Sequence, residues 1–214
     1  PLILATKLDR TQMAIKIAEI SLWKPSINLQ IEQFDIFSKN ALWYAIENRN
    51  IELIKTLLDR GASPRSLDFF SKIISYPSND QKKNELIELF IKEVTIYNKH
   101  ILKSIKLNHE ECFYKLIKFW EKQRKASKDS YYKESLNSFL KKAIKVKNID
   151  IAKYCIEIGA DANLLSSFAI ENNNDSLMIF CLDNGAKTNT SYLKYAIQKN
   201  NIEFLLLCVD KYGG

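Results

Sequence analysis

The stretch NALWYAIENRNIELIKTLLDRGASPR, residues 40–65, decides the fold. Its first part pairs a small residue with an apolar one, Ala45 and Ile46, and then reaches the polar run ENRN, which is typical of a turn. Its second part spaces apolar residues as one face of a helix does and ends at Gly61. The stretch therefore predicts two short helices joined by a turn, with a left-handed glycine closing the second helix.

The same pattern recurs along the chain. Residues 138–163, SFLKKAIKVKNIDIAKYCIEIGADAN, align with residues 40–65 without a gap, and other copies match more loosely. The copies span about residues 1–20, 40–65, 67–93, 101–120, 138–163, 166–189 and 192–213. Because one helix pair cannot bury its apolar face alone, we predict an all-α fold in which about seven irregular helix-turn-helix repeats stack as a single solenoid over residues 1–214.

The repeated unit resembles the ankyrin repeat, whose pattern runs roughly TPLHLAAxxGHLEIVKLLLxxGADVN. Residues 40–65 and 138–163 match it throughout, whereas the copies at 67–93 and 101–120 match loosely. The resemblance covers nearly all of the chain apart from about 20–35 and 121–136, and the TPLH opening is missing outside the first copy. It implies a divergent ankyrin-type solenoid that binds a partner protein. The Lys-, Ile- and Asn-rich repeats also resemble those of effectors that intracellular bacteria deliver into host cells, and of some viral host-range proteins.

The spacing of the copies predicts short connections. Ala143, Ala169 and Ala196 are 26 and 27 residues apart, whereas the family period is about 33. The shortfall follows the closing glycine, so we expect short or missing β-hairpin fingers there. NLQIEQFDIF, residues 28–37, alternates polar and apolar residues and predicts a short two-stranded finger. Residues 121–135 either extend the preceding outer helix or form a basic loop.

No residue pattern predicts catalysis, a cofactor or a bound metal. Cys155, Cys181 and Cys208 align with Leu57, and we expect them to fill the core as small apolar residues. In HEEC, residues 109–112, the histidine and the cysteine lie three apart, but no cluster completes the three or four ligands of a zinc site. We therefore predict that this chain is not an enzyme by itself.

The charge of the chain is concentrated in its middle. Residues 99–147 hold 14 Lys and Arg against 5 Asp and Glu, whereas the rest holds 18 against 20. This distribution fits an acidic partner or an ordinary solvated, lysine-rich surface. The sequence shows neither a bilayer-spanning apolar run nor a signal peptide, and it begins with Pro1, which indicates a fragment of a longer protein. Unpaired cysteines favour a reducing compartment, either the cytoplasm or the interior of a host cell.

The resemblance also implies where a partner binds, namely at finger tips and at inner-helix positions just after the paired small residues. Transferred by register, these positions are Phe37, Lys39, Tyr44, Glu47, Asn48, Lys106, Lys145, Glu171, Asn172, Gln198 and Lys199.

Three functions stay open. The leading hypothesis is a monomeric protein-binding module, whose partner is acidic or is a host protein. The second is the targeting or substrate-recruiting part of a larger enzyme whose catalytic part lies outside this sequence. The third is a basic surface for nucleic acid or anionic lipid, with nucleic acid less favoured because the sequence shows no known nucleic-acid-binding pattern.

Overall fold

The computed structural model describes residues 1–20, 31, 33–65, 68–127 and 131–210, and within these ranges every regular element is an α-helix. The described helices are α1 (Leu2–Lys7), α2 (Thr11–Ile20), α3 (Ala41–Glu47), α4 (Ile51–Asp59), α5 (Phe69–Ile74), α6 (Gln81–Ile91), α7 (Asn98–Lys106), α8 (Glu110–Ser127), α9 (Tyr132–Lys145), α10 (Ile149–Glu157), α11 (Asn163–Glu171), α12 (Asp175–Asp183), α13 (Thr190–Gln198) and α14 (Ile202–Asp210). The predicted all-α class is confirmed. None of the described helices is both long and apolar enough to cross a bilayer.

The chain divides into two compact units. The N-terminal unit comprises residues 1–104 and 111–123, and the C-terminal unit comprises residues 105–110 and 124–214. In the N-terminal unit α1, α3 and α5 pack one after another, backed by α2, α4 and α6, respectively. In the C-terminal unit α9, α11 and α13 do the same, backed by α10, α12 and α14. We call the odd-numbered helices inner and the even-numbered helices outer. Each unit therefore has the helix-pair stacking predicted for an ankyrin-type solenoid, while the repeat boundaries and the single solenoid stay predictions.

A left-handed residue makes the turn inside most helix pairs. The residues with positive φ at these turns are Asp9 (52°), Arg49 (53°), Asn108 (55°), Lys147 (58°), Asn173 (51°) and Asn200 (50°). In four of these turns the next residue is an asparagine whose Oδ1 accepts a backbone N–H from the first turn of the outer helix. In these caps Asn50 accepts from Leu53, Asn148 from Ile151, Asn174 from Leu177 and Asn201 from Phe204. The Asn-rich turns of the sequence thus both reverse the chain and cap the following helix.

The glycine closures of the outer helices are confirmed. Gly61, Gly159 and Gly185 have φ of 89°, 112° and 87°. At each closure the glycine N–H and the N–H of the following alanine donate to carbonyls in the last turn of the helix, as Gly159 does to Ile156 and Ala160 to Cys155. In the last copy the corresponding glycine, Gly213, falls one residue late in the register and lies outside the described residues.

The connections between pairs are short. Residues 158–162 join α10 to α11 and residues 184–189 join α12 to α13, and neither segment contains a strand. Of the predicted two-stranded finger, the described residues 31 and 33–37 form no strand. The sequence leaves two alternatives open for the basic segment after residue 121, an extended outer helix or a loop. As far as Ser127 the segment extends the outer helix.

The pair α5–α6 departs from the common turn because it holds an insertion at residues 75–80. The Tyr76 hydroxyl donates a hydrogen bond of 2.6 Å to the backbone oxygen of Ile46. The Arg49 guanidinium lies 4.4 Å from the centre of the Tyr76 ring. Arg49 also forms an ion pair with Asp80, in which Nε is 2.7 Å from Oδ2, but the Nε–H does not point at the carboxylate. Lys83 Nζ, buried beneath, donates to the Tyr76 carbonyl at 2.8 Å. The extra residues are therefore fastened to the preceding repeat.

We expect Gly159→Val to lower the melting temperature, because a β-branched residue at this positive φ costs about 1–2 kcal/mol in the backbone. A Cβ at Gly159 would meet only Leu136 Cδ1, at an ordinary 3.8 Å, so the loss reports the backbone conformation rather than a clash. Thermal denaturation followed by circular dichroism measures it. Gly159→Asn is the control and loses less, because asparagine adopts positive φ more readily than valine does; an unshifted melt for the valine variant contradicts the closure.

We expect Asn148→Asp to destabilise the chain by about 1–3 kcal/mol while keeping the helix cap. Asn148 Nδ2 donates to Asn108 Oδ1 and to Glu110 Oε1, both at 2.7 Å, and a carboxylate loses both bonds. Asn174→Asp is the matched control, because this exposed residue caps α12 in the same way. Urea denaturation measures both variants, and equal losses would show that the bonds between turns contribute nothing.

Candidate functional site

An ordered loop precedes α3 in the N-terminal unit. Asp35 organises it, since its Oδ1 accepts hydrogen bonds from the backbone N–H groups of Phe37 and Lys39, at 2.9 and 3.0 Å. The Tyr44 hydroxyl, on α3, donates to Asp35 Oδ2 at 2.6 Å. Asn40 caps α3 by accepting the Trp43 N–H at 2.9 Å. The loop is therefore held to the inner helix by named hydrogen bonds on both sides.

The tip of this loop is apolar and faces solvent. Phe34 is 48% exposed, Ile36 91% and Phe37 62%. Three large apolar side chains within four residues form a patch that folding of this unit does not bury. Such patches on otherwise polar surfaces mark interaction sites.

Lysine ammonium groups lie over the aromatic rings beside the tip. Lys7 Nζ is 5.6 Å from the centre of the Phe37 ring and 5.6 Å from that of Tyr44. Lys39 Nζ is 5.5 Å from the Trp43 ring and 5.6 Å from the Tyr44 ring. These distances permit cation–π attraction. Helix α1, the loop and α3 thus contribute to one surface.

Helix α5 adds a third lysine. Lys72 Nζ lies 4.8 Å from the Trp43 ring centre and 2.8 Å from Glu47 Oε1, with which it forms an ion pair. We call this set the lysine–aromatic cluster: Lys7, Phe37, Lys39, Trp43, Tyr44 and Lys72.

The hydrogen bond between Tyr44 and Asp35 shifts the acidity of both groups. The Tyr44 hydroxyl, followed by the two backbone N–H groups, lowers the pKa of Asp35 below its ordinary value. The same bond, with some burial, raises the pKa of Tyr44 to about 12. Asp35 is therefore a carboxylate and Tyr44 a neutral phenol at neutral pH.

The five predicted contact residues of the N-terminal unit lie in different environments. Phe37 and Glu47 are exposed, and Lys39 is half-buried over the rings. Tyr44 is only 5% exposed and holds Asp35 instead of facing solvent. Asn48 is half-buried and its Nδ2 donates to the Thr6 carbonyl at 2.8 Å, which links the end of α3 to α1. The structure thus brings Phe37, Lys39 and Tyr44 together and gives Tyr44 and Asn48 structural contacts.

The other six predicted residues belong to the C-terminal unit and are all exposed. Asn172 Nδ2 donates to the Phe168 carbonyl at 2.8 Å, and Lys199 Nζ lies 5.9 Å from the Tyr195 ring centre. No described contact joins one of the six to another. They are Lys106, Lys145, Glu171, Asn172, Gln198 and Lys199.

Sequence reasoning missed three members of the surface, namely Lys7, Trp43 and Lys72. Lys7 follows Ala5 and Thr6 as Glu47 follows Ala45 and Ile46, so the repeat register contained the signal that would have found it. Trp43 and Lys72 become neighbours only through packing of α3 on α5.

A cleft of about 300 Å³ lies between the start of α5 and residues 94–100. Asp68 caps α5, and it accepts from Lys99 Nζ at 2.6 Å and approaches His100 Nε2 at 3.3 Å. Burial would raise the pKa of Asp68, but these hydrogen bonds outweigh burial and lower the pKa to about 2. Burial lowers the pKa of His100 more than Asp68 raises it, and His100 Nδ1 accepts the Tyr97 N–H. Because these polar groups satisfy one another, the cleft is a structural junction between loops.

The cysteine thiols are core groups, as the sequence predicts. All four are free and buried. Burial raises the pKa of Cys112 to about 11 and that of Cys155 and Cys181 to about 12, and it also raises the pKa of Cys208. Thiols with such pKa values are poor nucleophiles. Among the described residues, no three His, Cys, Asp or Glu side chains are grouped so that they could hold a metal ion.

Comparison with known families matches the ankyrin repeat model to residues 39–69. The chain contains an ankyrin repeat. The matched residues run from the end of the loop through α3 and α4 to the start of α5, and they include three members of the lysine–aromatic cluster. No curated protein and no solved structure matches the chain. Ankyrin repeats are in general protein–protein interaction modules and are typically non-catalytic.

We expect Tyr44→Phe to raise the pKa of Asp35 toward its ordinary value of 3.8, because the variant loses the strongest hydrogen bond to the carboxylate. A depressed carboxyl pKa stabilises the fold above the pKa of the unfolded state, and this contribution is lost as the pH falls through the folded pKa. An NMR titration of the Asp35 side chain measures the change. Tyr195→Phe is the control, because that hydroxyl donates to Asp175. An Asp35 pKa that is the same in all three proteins contradicts the assignment.

Proposed function

We propose that the chain binds a partner protein through the inner-helix and loop surface of its N-terminal unit. The observation that carries this proposal is the apolar tip, where Ile36 and Phe37 are exposed on a loop that Asp35 and Tyr44 fasten to α3. Interfaces depend on a few aromatic or aliphatic anchors surrounded by a polar rim. Phe37 with Lys7 above its ring has that composition.

The order of this loop supports the proposal energetically. A loop that must be ordered on binding reduces the affinity, because its side chains and backbone lose conformational freedom. Here the Asp35 carboxylate accepts three hydrogen bonds, and the Asp35 N–H donates to the Lys39 carbonyl at 2.9 Å. The apolar side chains are therefore presented before the partner arrives.

The C-terminal unit offers a second proposed contact, for an acidic part of the partner. Lys106 and Lys145 are exposed near the ends of inner helices, within the basic middle of the chain. We propose the cytosol of the producing cell or of a host cell as the compartment, since the four cysteines are free. The proposed surface would bind a substrate protein in the same way if the chain were the substrate-recruiting part of a larger enzyme.

Affinity capture from a eukaryotic lysate tests the proposal with two variants. We expect Ile36→Ser/Phe37→Ser to lose a protein that the unchanged chain retains, because the variant removes the apolar tip. Leu206→Ser is the control, since this side chain is an exposed apolar residue of α14 in the other unit. Identical retention by all three folded proteins contradicts a binding role for the tip.

We expect Lys106→Glu/Lys145→Glu to weaken binding of the captured partner on the order of tenfold, because reversed surface charges slow association with an acidic surface. The circular dichroism spectrum should stay native, since both side chains are exposed. Lys82→Glu/Lys92→Glu on and beside α6 makes the same charge change elsewhere. Unchanged affinity with a native spectrum counts against this second contact.

A further inference from the structure

We propose that the segment of the partner bound by the N-terminal unit is an acidic peptide, with carboxylates at Lys7 and Lys39 and an apolar side chain against Phe37 and Ile36. This inference rests on the proposed function and adds the chemistry of the partner. Lys7 thereby becomes a residue that determines specificity.

The two ammonium groups lie over aromatic rings. Lys7 Nζ lies over Phe37 and Tyr44, and Lys39 Nζ lies over Trp43 and Tyr44, at 5.5 to 5.6 Å from the ring centres. In the described part of the chain, neither forms an ion pair. An ammonium group has three donors and a ring face uses few of them, so both groups keep donors for an incoming carboxylate.

The carboxylates beside them are already engaged. Asp35 accepts from Tyr44, Phe37 and Lys39, and Glu47 pairs with Lys72 at 2.8 Å. Lys7 attracts Asp35 electrostatically without forming an ion pair with it, so among the described residues the site offers two ammonium groups outside any ion pair, while its carboxylates are hydrogen-bonded or paired. Charge complementarity favours an acidic ligand.

The apolar tip favours an acidic peptide over other polyanions as the ligand of this surface. The Lys7 ammonium lies 5.6 Å from the centre of the exposed Phe37 ring, so a ligand that reaches Lys7 can contact that ring as well. A nucleic-acid backbone gains affinity from many neutralised phosphates. The lysine–aromatic cluster has three ammonium groups, one of them paired with Glu47, whereas a peptide can place an apolar side chain on the tip and its acidic side chains at Lys7 and Lys39.

Panning a random 12-residue peptide library on the folded full chain tests the inference. We expect enrichment of peptides that combine Asp or Glu with Leu, Ile or Phe. The affinity of the best peptide should fall on the order of tenfold in Lys7→Gln/Lys39→Gln, and also with added salt. Lys7→Gln alone, which changes an exposed side chain, should give part of the loss if the double variant folds poorly. Lys16→Gln/Lys92→Gln, at two exposed lysines elsewhere, should bind as the unchanged chain does.

Three results would contradict the inference in different ways. Enriched peptides without acidic bias, or with equal affinity for the Lys7→Gln/Lys39→Gln variant, overturn the acidic ligand and leave the proposed binding function standing. No enriched peptide on the folded chain counts against the proposed function itself. Displacement of the best peptide by a single-stranded oligonucleotide at equal concentration assigns the surface to nucleic acid.

Discussion

The left-handed turn within a helix pair is the constraint on which the rest of this structure depends. One residue at positive φ, such as Arg49 or Lys147, folds the outer helix back on the inner one, and the next residue immediately precedes the outer helix. Where that residue is asparagine, it also caps the helix, and Asn148 reaches back to Asn108 and Glu110 in the preceding turn. Because these turns close the helix pairs, and some of them also contact the preceding turn, short helices that would be marginal alone become a stable stack.

The same turn determines what the surface can do. It places the last residues of successive inner helices at equivalent positions, so Lys7 and Glu47 end α1 and α3 as Lys145 ends α9. The fold leaves the choice of residue at these positions free. In the N-terminal unit, Lys7 and Glu47 occupy two of these positions and lie beside other lysines, aromatic rings and an apolar loop, which gives the unit a surface with both charge and apolar character.

The features that the sequence predicted correctly are local ones. The glycine closures, the Asn-rich turns and the cysteines of the outer helices follow from spacing and backbone preference alone. The finger prediction differs from the described residues because the Asp35 side chain takes the N–H groups of Phe37 and Lys39, which strand pairing would need. The clamp of Tyr76 on Ile46 and the approach of Lys72 to Trp43 depend on packing between repeats, which no single segment encodes.

A chemical-shift map of the ¹⁵N-labelled chain, recorded as the captured partner or the best library peptide is added, tests the account most directly. The account predicts the largest amide shifts in residues 34–39, with further shifts at the C-terminal end of α1 and along α3. Shifts confined to the outer helices α2, α4 and α6 would contradict it, since those helices carry none of the lysine–aromatic cluster.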